Sequence, residues 1–371
     1  MEIDSLEMIS FRNHEKTKIE FGPGLTILWG KNGSGKTSIL EAIHSLSLGK
    51  SFRTNNKKEM VKNGKNSFLL RGFFKKAQGN ESMVSFSQDR IGNKKIKINK
   101  KTITKRKELL GLNSVVVFSP EEESITKGPP GERRKFFNKV FSICSKTYLE
   151  KLLTYNKILK QRNAVLKNNH KKQSTIEELD TWSEPLADAG EKLWRERTQL
   201  IKEFTGEFSH ITKELDEKIK KRIIYKEKKT DREEILQQIK NNNTLDIKNG
   251  FTSYGPHRDD FLFLWNKKPI RKQGSQGEHK LFLALLKITE LLFLSKKTKK
   301  NPIFLIDDLF ASLDEKKSKK LLAFIGQLQT IRKKRPQTII TTTDFAGPEK
   351  NGFFLGFEEV KKHHIHKNGN T

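Results

Sequence analysis

Residues 25–43 read LTILWGKNGSGKTSILEAI, and this stretch decides the fold of the chain. Residues 25–29 form an apolar run that is typical of a short buried strand. Residues 30–37 match the pattern G-x-x-x-x-G-K-[ST], and apolar residues then recur at helical spacing up to Leu46. Strand, glycine-rich loop and helix in this order predict a P-loop that binds the phosphates of a nucleoside triphosphate.

The chemistry of the loop follows from its residue types. Glycines let the backbone fold tightly around a polyphosphate, and the following helix adds positive partial charge at its N-terminus. Lys36 can reach the β- and γ-phosphates, and the Thr37 hydroxyl can ligate Mg²⁺. The alternative is a glycine-rich loop that matches the pattern by chance. The predicted nucleotide-binding residues of this loop are Gly30, Lys31, Asn32, Gly33, Ser34, Gly35, Lys36, Thr37 and Ser38.

A P-loop needs a second metal ligand, and residues 302–308, PIFLIDD, supply an apolar strand that ends in two carboxylates. We expect Asp307 to hold Mg²⁺ through water and Asp308 to polarise an attacking water. With Lys36 these form the predicted catalytic set, and Thr37 and Asp307 are the predicted metal ligands. Taken alone, such a pair is equally typical of a strand end with two solvated acids.

The stretch SQGEHK, residues 275–280, precedes a long apolar run. Ser275 and Glu278 have the spacing of a helix capping box, which explains the stretch structurally. The functional interpretation is that Ser275 and Gly277 form the Ser-x-Gly turn with which ABC-type ATPases cap the γ-phosphate held by another subunit. The order of P-loop, insert, Ser-x-Gly turn and acidic strand favours an α/β, ABC-type P-loop ATPase head.

The insert reads as a helical arm. Apolar residues recur every three or four positions over residues 133–169 and again over 177–220, so we expect two long antiparallel helices reaching roughly 55–65 Å. The predicted division is residues 1–120 for the first part of the head, 121–245 for the helical lobe and 246–371 for the second part of the head. Residues 225–250 are expected to form an exposed connector, and the tail after residue 347 is expected to be disordered.

The charge balance points to a polyanionic partner. The 371 residues contain 74 Lys and Arg against 44 Asp and Glu, a net charge of +30. Residues 94–107 contain eight cations and no acid, and these are the candidate DNA-binding residues: Lys94, Lys95, Lys97, Lys100, Lys101, Lys105, Arg106 and Lys107. The alternatives are a lysine-rich composition spread over the surface, or an edge strand whose lysines discourage aggregation.

Several classes of protein are disfavoured by the sequence. No apolar run approaches the roughly 20 residues of a membrane span, and no signal peptide is evident. The single cysteine, Cys144, rules out an intrachain disulfide and a cysteine-based zinc site. We therefore expect a cytoplasmic protein without a membrane partner.

Taken together, the motifs resemble those of the RecF family of bacterial recombination-repair ATPases. They occur in family order from near the start of the chain to about residue 344. They are SFRN (10–13), GKNGSGKTSILEAI (30–43), GKSFRT (49–54), VVVFSPEE (115–122), GERRKFF (131–137), LKQRNAVLK (159–167), WSEPLADAG (182–190), YGPHRDD (254–260), SQGEHK (275–280) and DDLFASLD (307–314).

The resemblance implies a protein that binds ATP and Mg²⁺, dimerises around ATP, binds DNA and hydrolyses ATP slowly. It also implies a role with RecR and RecO in loading recombinase at single-strand gaps. His279 and Lys280 stand where the family often has Gln and Arg, and no glutamine between Gln88 and Gln161 can supply the usual third contact to Mg²⁺ or water. Two alternatives stay open: another SMC- or ABC-type DNA-maintenance ATPase, or a DNA clamp in which ATP acts only as a dimerisation switch.

Overall fold

The computed structural model describes residues 2–75, 79, 81–105, 108–169, 176–215, 220–225, 231–308, 315–331, 336–344, 349, 354, 357 and 359–366. The chain divides into two compact units. Unit 1 contains the residues up to Glu123 and those from Ser275 onward, and unit 2 contains most of the residues between Ser124 and Gly274. Residues 246–274, which the sequence-based division assigned to the head, therefore lie in unit 2.

Fourteen strands and ten helices are found in the described residues. The strands are β1 Glu2–Phe11, β2 His14–Glu20, β3 Leu25–Trp29, β4 Ser67–Lys75, β5 Glu81–Asp89, β6 Lys94–Ile98, β7 Lys101–Ile103, β8 Val115–Phe118, β9 Lys221–Tyr225, β10 Phe261–Trp265, β11 Lys268–Pro269, β12 Ile303–Ile306, β13 Thr338–Thr342 and β14 Val360–His364. The helices are α1 Lys36–Leu48, α2 Ser124–Lys127, α3 Pro130–Cys144, α4 Lys146–Asn169, α5 Ile176–Leu215, α6 Arg232–Asn241, α7 Asn243–Asn249, α8 Ile270–Gln273, α9 Gln276–Thr298 and α10 Glu315–Ile331.

A five-stranded parallel sheet forms the centre of unit 1, in the order β14-β3-β13-β12-β8. Its three inner strands, β3, β13 and β12, are almost wholly buried, as is typical of parallel strands covered on both faces. Because the strands are parallel, the loops that follow β3, β12 and β13 all emerge at one edge. The P-loop and the acidic pair are brought together by this arrangement.

The second sheet of unit 1 is antiparallel, in the order β2-β1-β4-β5-β6-β7. Strands β4 and β5 alternate regularly between buried and partly exposed residues, so one face of the sheet packs inward and the other faces outward. Residues 94–103 of the cationic segment predicted to bind DNA form β6, β7 and the turn between them, at one edge of this sheet.

The predicted antiparallel helices are present in unit 2, but the first is shorter than expected. The apolar spacing continues through Ser145, yet α3 ends at Cys144 because Ser145 adopts an extended conformation. The Ser145 hydroxyl then accepts a hydrogen bond from the Tyr148 amide (3.0 Å) and caps α4. Contacts of Lys151 with Glu196 and of Arg162 with Ser183 show that α4 and α5 run antiparallel, as predicted. The 40 residues of α5 span about 60 Å.

Two segments, expected to be a connector and a disordered tail, contain regular secondary structure in their described residues. Residues 225–250 were predicted to be an exposed connector, but they contain α6 and α7, and Ile235 and Ile239 are buried one helical turn apart. The tail was predicted to be disordered, but residues 360–364 form β14, which pairs with β3 at the edge of the parallel sheet. Both errors have one cause: short elements in lysine-rich sequence expose most of their side chains and show little periodicity.

A buried ion pair joins α4 to α7 within unit 2. The Arg162 guanidinium donates to Asp246 (2.7 Å), and both side chains are 0% exposed. Arg162 also donates to Thr252, Asn243 and Ser183, so each of its three side-chain nitrogens has a partner. The charge is therefore stable only while its carboxylate partner is in place.

We predict that Asp246→Asn destabilises unit 2 by roughly 3–5 kcal/mol, because it leaves a buried arginine without a counterion. The matched control is Asp188→Asn, which breaks the surface pair with Arg232, where both side chains are at least a third exposed. The control should cost at most about 1 kcal/mol. Urea unfolding followed by circular dichroism gives both values, and equal losses would contradict the prediction.

Candidate nucleotide-binding site

The P-loop is shaped by glycines in conformations that other residues avoid. Gly30 has φ +147° and packs so tightly that a Cβ would lie 2.4 Å from the Ile365 carbonyl oxygen. Gly35 has φ +107°, and a Cβ there would meet the His14 ring at 2.5 Å. The β14 segment and the β1–β2 turn therefore brace the two ends of the loop, and only glycine fits at both positions.

Lys36 begins α1 and is buried at the floor of the loop, with 8% of the residue exposed. Its ammonium group donates to the carbonyl oxygens of Gly30 (2.7 Å) and Lys31 (2.9 Å). Burial lowers the pKa of Lys36, and the nearby Asp308 and Asp307 carboxylates oppose that effect. A buried cation held only by loop carbonyls and two acids is suited to an anionic ligand.

The predicted metal ligands are in contact. The Thr37 hydroxyl donates to Asp307 Oδ1 at 2.9 Å, and the Thr341 hydroxyl donates to the same oxygen at 2.7 Å. Burial raises the pKa of Asp307, and the hydrogen bonds from Thr341 and Thr37 oppose that rise. Mg²⁺ prefers oxygen ligands, so the Thr37 hydroxyl and, through water, the Asp307 carboxylate would suit this ion.

Asp308 lies one residue beyond the buried carboxylate and lines the same cavity. Its φ of +49° is left-handed, and its amide donates to the Thr341 hydroxyl (2.9 Å). This backbone twist is sterically unfavourable for most residues and tolerated by aspartate. Both consecutive aspartates line the cavity, and Asp307 is the one that accepts the Thr37 hydrogen bond.

A cavity of about 620 Å³ opens over the loop, and it has the features that a triphosphate requires. Space is open above Gly33, and the buried Ser34 hydroxyl has no hydrogen-bond partner within the described chain. The first turn of α1 leaves backbone N–H groups unpaired inside the helix. The open space and the unpaired N–H groups at the start of α1 fit a nucleotide polyphosphate. Thr37 and Asp307 would hold Mg²⁺ beside it.

Two arginines, Arg12 and Arg53, also line the cavity, although the sequence had not assigned them to the site. Arg12 makes a bidentate ion pair with the fully buried Glu41 (2.8 and 2.7 Å), and Arg53 lies 3.6 Å from Glu41. Arg53 is also 3.6 Å from Glu121, whose charge raises the pKa of Asp307. The signal was present in the motifs SFRN, GKSFRT and VVVFSPEE, but no spacing rule connected these distant segments to the P-loop.

The Ser-x-Gly turn has the predicted capping box but lies outside this cavity. The Ser275 hydroxyl accepts from the Glu278 amide (3.3 Å), and the Glu278 carboxylate accepts from the Ser275 amide (2.7 Å). Ser275 and Gly277 are exposed, and neither is among the residues that line the cavity over the P-loop. The chain does not bring its own turn to its own phosphate cradle.

The candidate DNA-binding cations do not all lie on one face of the protein. Arg106 and Lys107 lie outside the described residues, as do residues 309–314, which contain most of the DDLFASLD motif. Lys95 and Lys97 alternate with Lys94 and Ile96 along β6, so the cluster is divided between two faces of the sheet. The β6 lysines therefore do not share one face, and a DNA-binding role for the cluster stays a prediction.

The described residues also limit which other kinds of site the chain can contain. No helix in those ranges is both long and apolar enough to cross a membrane. No group of three or more His, Cys, Asp and Glu side chains there could bind a metal by itself. A Thr–Asp pair is nevertheless sufficient for Mg²⁺, which commonly completes its shell with water and substrate phosphates.

Comparison with known proteins agrees with this geometry. Residues 2–364 match the family model described as the RecF/RecN/SMC N terminal domain. The DNA replication and repair protein RecF of Alkaliphilus oremlandii is 35% identical over 354 residues, covering 92% of this chain and 93% of the relative. The chain belongs to the RecF family. The RecF of Prosthecochloris aestuarii is 32% identical over 357 residues, covering 94% of this chain and 95% of the relative.

Solved structures lead to the same family. A structure of the recombination mediator protein RecF with ATP in the RecFOR pathway has a TM-score of 0.84 and 31% identity, covering 98% of this chain and 95% of that one. An Smc head domain derived from Pyrococcus furiosus has a TM-score of 0.59 at 16% identity, covering 99% of this chain and 94% of that one, and supports the fold alone. The predicted α/β, ABC-type ATPase head with a helical lobe is confirmed by these neighbours.

We predict that Lys36→Ala weakens ATP binding at least tenfold, because a charge-assisted contact of this kind contributes roughly 1.5–3 kcal/mol. Lys267→Ala, which removes an exposed lysine from unit 2, should leave ATP affinity unchanged. Isothermal titration calorimetry measures both, with circular dichroism to check folding. Parental ATP affinity in the Lys36 variant would contradict the assignment.

A second prediction separates binding from hydrolysis at the acidic pair. Asp308→Asn should keep Mg²⁺–ATP binding and slow turnover at least tenfold, because the cavity-facing carboxylate would no longer polarise water. Asp307→Asn should instead weaken Mg²⁺ binding, so that Mg²⁺ strengthens ATP binding less than it does in the parent. Single-turnover hydrolysis and magnesium titrations compare the two variants. The assignment fails if Asp308→Asn turns over ATP at the parental rate.

Proposed function

We propose that this chain is an ATP-dependent DNA-binding protein of recombinational repair and replication restart. The observation that carries the proposal is that Lys36, Thr37 and Asp307 line one cavity, with Thr37 hydrogen-bonded to Asp307, in a chain of the RecF family. The choice of ATP among nucleotides is supported by the related RecF structure, which is that of a complex with ATP. The net charge of +30 supports DNA as the polyanionic partner.

Each residue of the site would have a separate role at the bound nucleotide. Lys36 and the N–H groups at the start of α1 hold the β- and γ-phosphates. Mg²⁺, when held by Thr37 and Asp307, would neutralise charge on those phosphates. Asp308 accepts a proton from the attacking water. Arg12 and Arg53 place positive charge at the same cavity, where it can stabilise negative charge on the transferring phosphoryl group.

We infer that the complete site needs two chains. Ser275 and Gly277 are exposed and lie outside their own cradle, so they are free to face a nucleotide held by a second copy. A turn at the N-terminus of the long helix α9 presents a positive partial charge to a γ-phosphate. ATP would then join two heads, and hydrolysis would release them.

The finer features of the proposal come from the family. They are slow hydrolysis of ATP, dimerisation on DNA, and help in loading recombinase at single-strand gaps together with RecR and RecO, in the cytoplasm. One alternative is a DNA clamp in which ATP is only a dimerisation switch, and another is a different SMC- or ABC-type DNA-maintenance ATPase. ATP turnover with and without DNA distinguishes an ATPase stimulated by DNA from a switch that hydrolyses ATP at one slow rate.

The composite site predicts opposite outcomes for two nearly isosteric variants. Ser275→Asp and Ser275→Asn both keep a good helix N-cap, so α9 should stay folded. Only Ser275→Asp places a negative charge against the partner's γ-phosphate. We expect it to abolish ATP-dependent dimerisation in sedimentation velocity runs, while Ser275→Asn keeps most of it and monomer ATP binding is intact in both.

Mixing Ser275→Asp with Lys36→Ala protein sharpens the test. One site of the mixed dimer carries both lesions and the other carries neither, so up to half of the parental hydrolysis per dimer should return. Mixed dimers are verified by differential affinity tags. Equal behaviour of the Asp and Asn variants, or no recovery in proven mixed dimers, would rule out the shared site.

A further inference from the structure

A shallow groove of about 290 Å³ lies on the outward face of the antiparallel sheet of unit 1. The strand register explains its composition. Leu69, Ser87 and Lys95 lie side by side across β4, β5 and β6, and Ser85 and Lys97 lie together in the next row. The groove therefore has a floor of small and aliphatic side chains with lysines along one wall.

The charge of this groove is not neutralised by the protein. Lys95, Lys97 and Lys100 line it, and none of the three ammonium groups has an ion pair or hydrogen bond within the described chain. Arg71 also lines the groove, but its charge is matched by Glu7 at 3.2 Å, and Lys75 on the same sheet pairs with Asp4. The three unmatched lysines leave a local excess of positive charge that an anionic partner can satisfy.

Lys100 is held at the lip of the groove by a strained turn. Asn99 and Lys100 form the two-residue connection between β6 and β7, with φ values of +48° and +69°. Such turns favour glycine at the second position, because a side chain there is sterically unfavourable. Asn266 and Lys267 form the same kind of turn between β10 and β11 in unit 2, with φ values of +45° and +68°. That second turn is a matched reference for the first.

The floor of the groove suits a phosphate backbone. The Ser85 and Ser87 hydroxyls make no hydrogen bond within the described chain, and serine and lysine are common donors to phosphate oxygens. Single-strand binders stack bases on aromatic rings, and no aromatic residue is among those described residues that line this groove. The chemistry matches a duplex whose bases are stacked inside and whose phosphates are presented outside.

We propose that this groove binds the sugar–phosphate backbone of duplex DNA without reading sequence. A single chain offers one groove and binds weakly without nucleotide, whereas a dimer joined by ATP presents two grooves to one duplex and binds more tightly. The inference rests on the proposed function, because it names one surface through which a DNA-binding chain would hold its partner. It also narrows the cluster of residues 94–107 to Lys95, Lys97 and Lys100, which line one groove.

The strand alternation provides an internal control. Lys94 lies opposite the buried Gln88, and Lys101 lies opposite Ile98, so by register both belong to the other face of the sheet. Both are exposed, like Lys95. Removing Lys94 and Lys101 lowers the net charge by the same two units as removing Lys95 and Lys97, within the same hairpin.

The test compares Lys95→Gln/Lys97→Gln with Lys94→Gln/Lys101→Gln. Fluorescence anisotropy without nucleotide gives the affinity for a labelled duplex over a series of salt concentrations. The groove variant should bind about tenfold more weakly at low salt. Its log–log salt slope should flatten by about 1.8, the value for two lost phosphate contacts. The control variant should keep a slope within about 0.5 of the parent.

Equal losses in the two double variants would show that only net charge matters and would overturn the groove, as would a parental slope in the groove variant. A single strand of equal length that binds as tightly as the duplex would overturn the choice of duplex DNA. ATP-dependent dimerisation, measured on the same variants, should be unchanged. A parent protein that failed to dimerise with ATP would count against the proposed function, whereas the groove is measured without nucleotide.

Comparing Lys100→Gly with Lys267→Gly separates a DNA contact by Lys100 from a merely structural role of its turn. Both substitutions relieve the same backbone strain, so both should maintain or raise the melting temperature. Only Lys100→Gly should weaken duplex binding, about threefold for one contact. Equal DNA affinity in the two glycine variants would remove Lys100 from the site.

Discussion

Parallel pairing of β3, β13 and β12 is the constraint on which the site depends. It brings the Thr37 hydroxyl to 2.9 Å from an aspartate that is 270 residues away in sequence. The third strand of the set, β13, adds Thr341 to the same carboxylate oxygen. Three separate segments thus converge on one oxygen atom, and a shift of any one strand by one residue would turn its side chain away from the edge.

At the same edge of the sheet, burial disfavours the charged forms of Lys36 and Asp307. Burial lowers the pKa of Lys36 and raises the pKa of Asp307, so each group is held where its charged form is less stable than in water. Polyphosphate and Mg²⁺ would favour both charged forms. Within the protein itself, the loop carbonyls satisfy Lys36 and two threonine hydroxyls satisfy Asp307. The site is therefore folded and partly satisfied before the ligand arrives, which limits the ordering cost of binding.

Motifs shared with the family have more than one physical role. In the YGPHRDD segment, Asp259 accepts hydrogen bonds from Arg197, Trp194 and Tyr225, so it anchors α5 and β9 inside unit 2. Burial lowers the pKa of His257 in that segment to about 4, and the neutral ring bridges the Tyr155 hydroxyl and the Thr252 carbonyl. This motif supports packing, whereas the P-loop and the acidic pair are directed at a ligand.

The sequence was sufficient to predict the P-loop, the acidic strand, the capping box and the family. Each motif is a short run of contiguous residues, and its chemistry does not depend on distant partners. The sequence also predicted the two long helices, since helical periodicity is local. The tertiary structure alone decided which cations share a face, since alternation along β6 separates Lys94 from Lys95. It also decided that Arg12 and Arg53 line the cavity, that Ser275 does not, and that the tail completes the sheet. These depend on strand register and long-range pairing, which arise only when remote segments pack together.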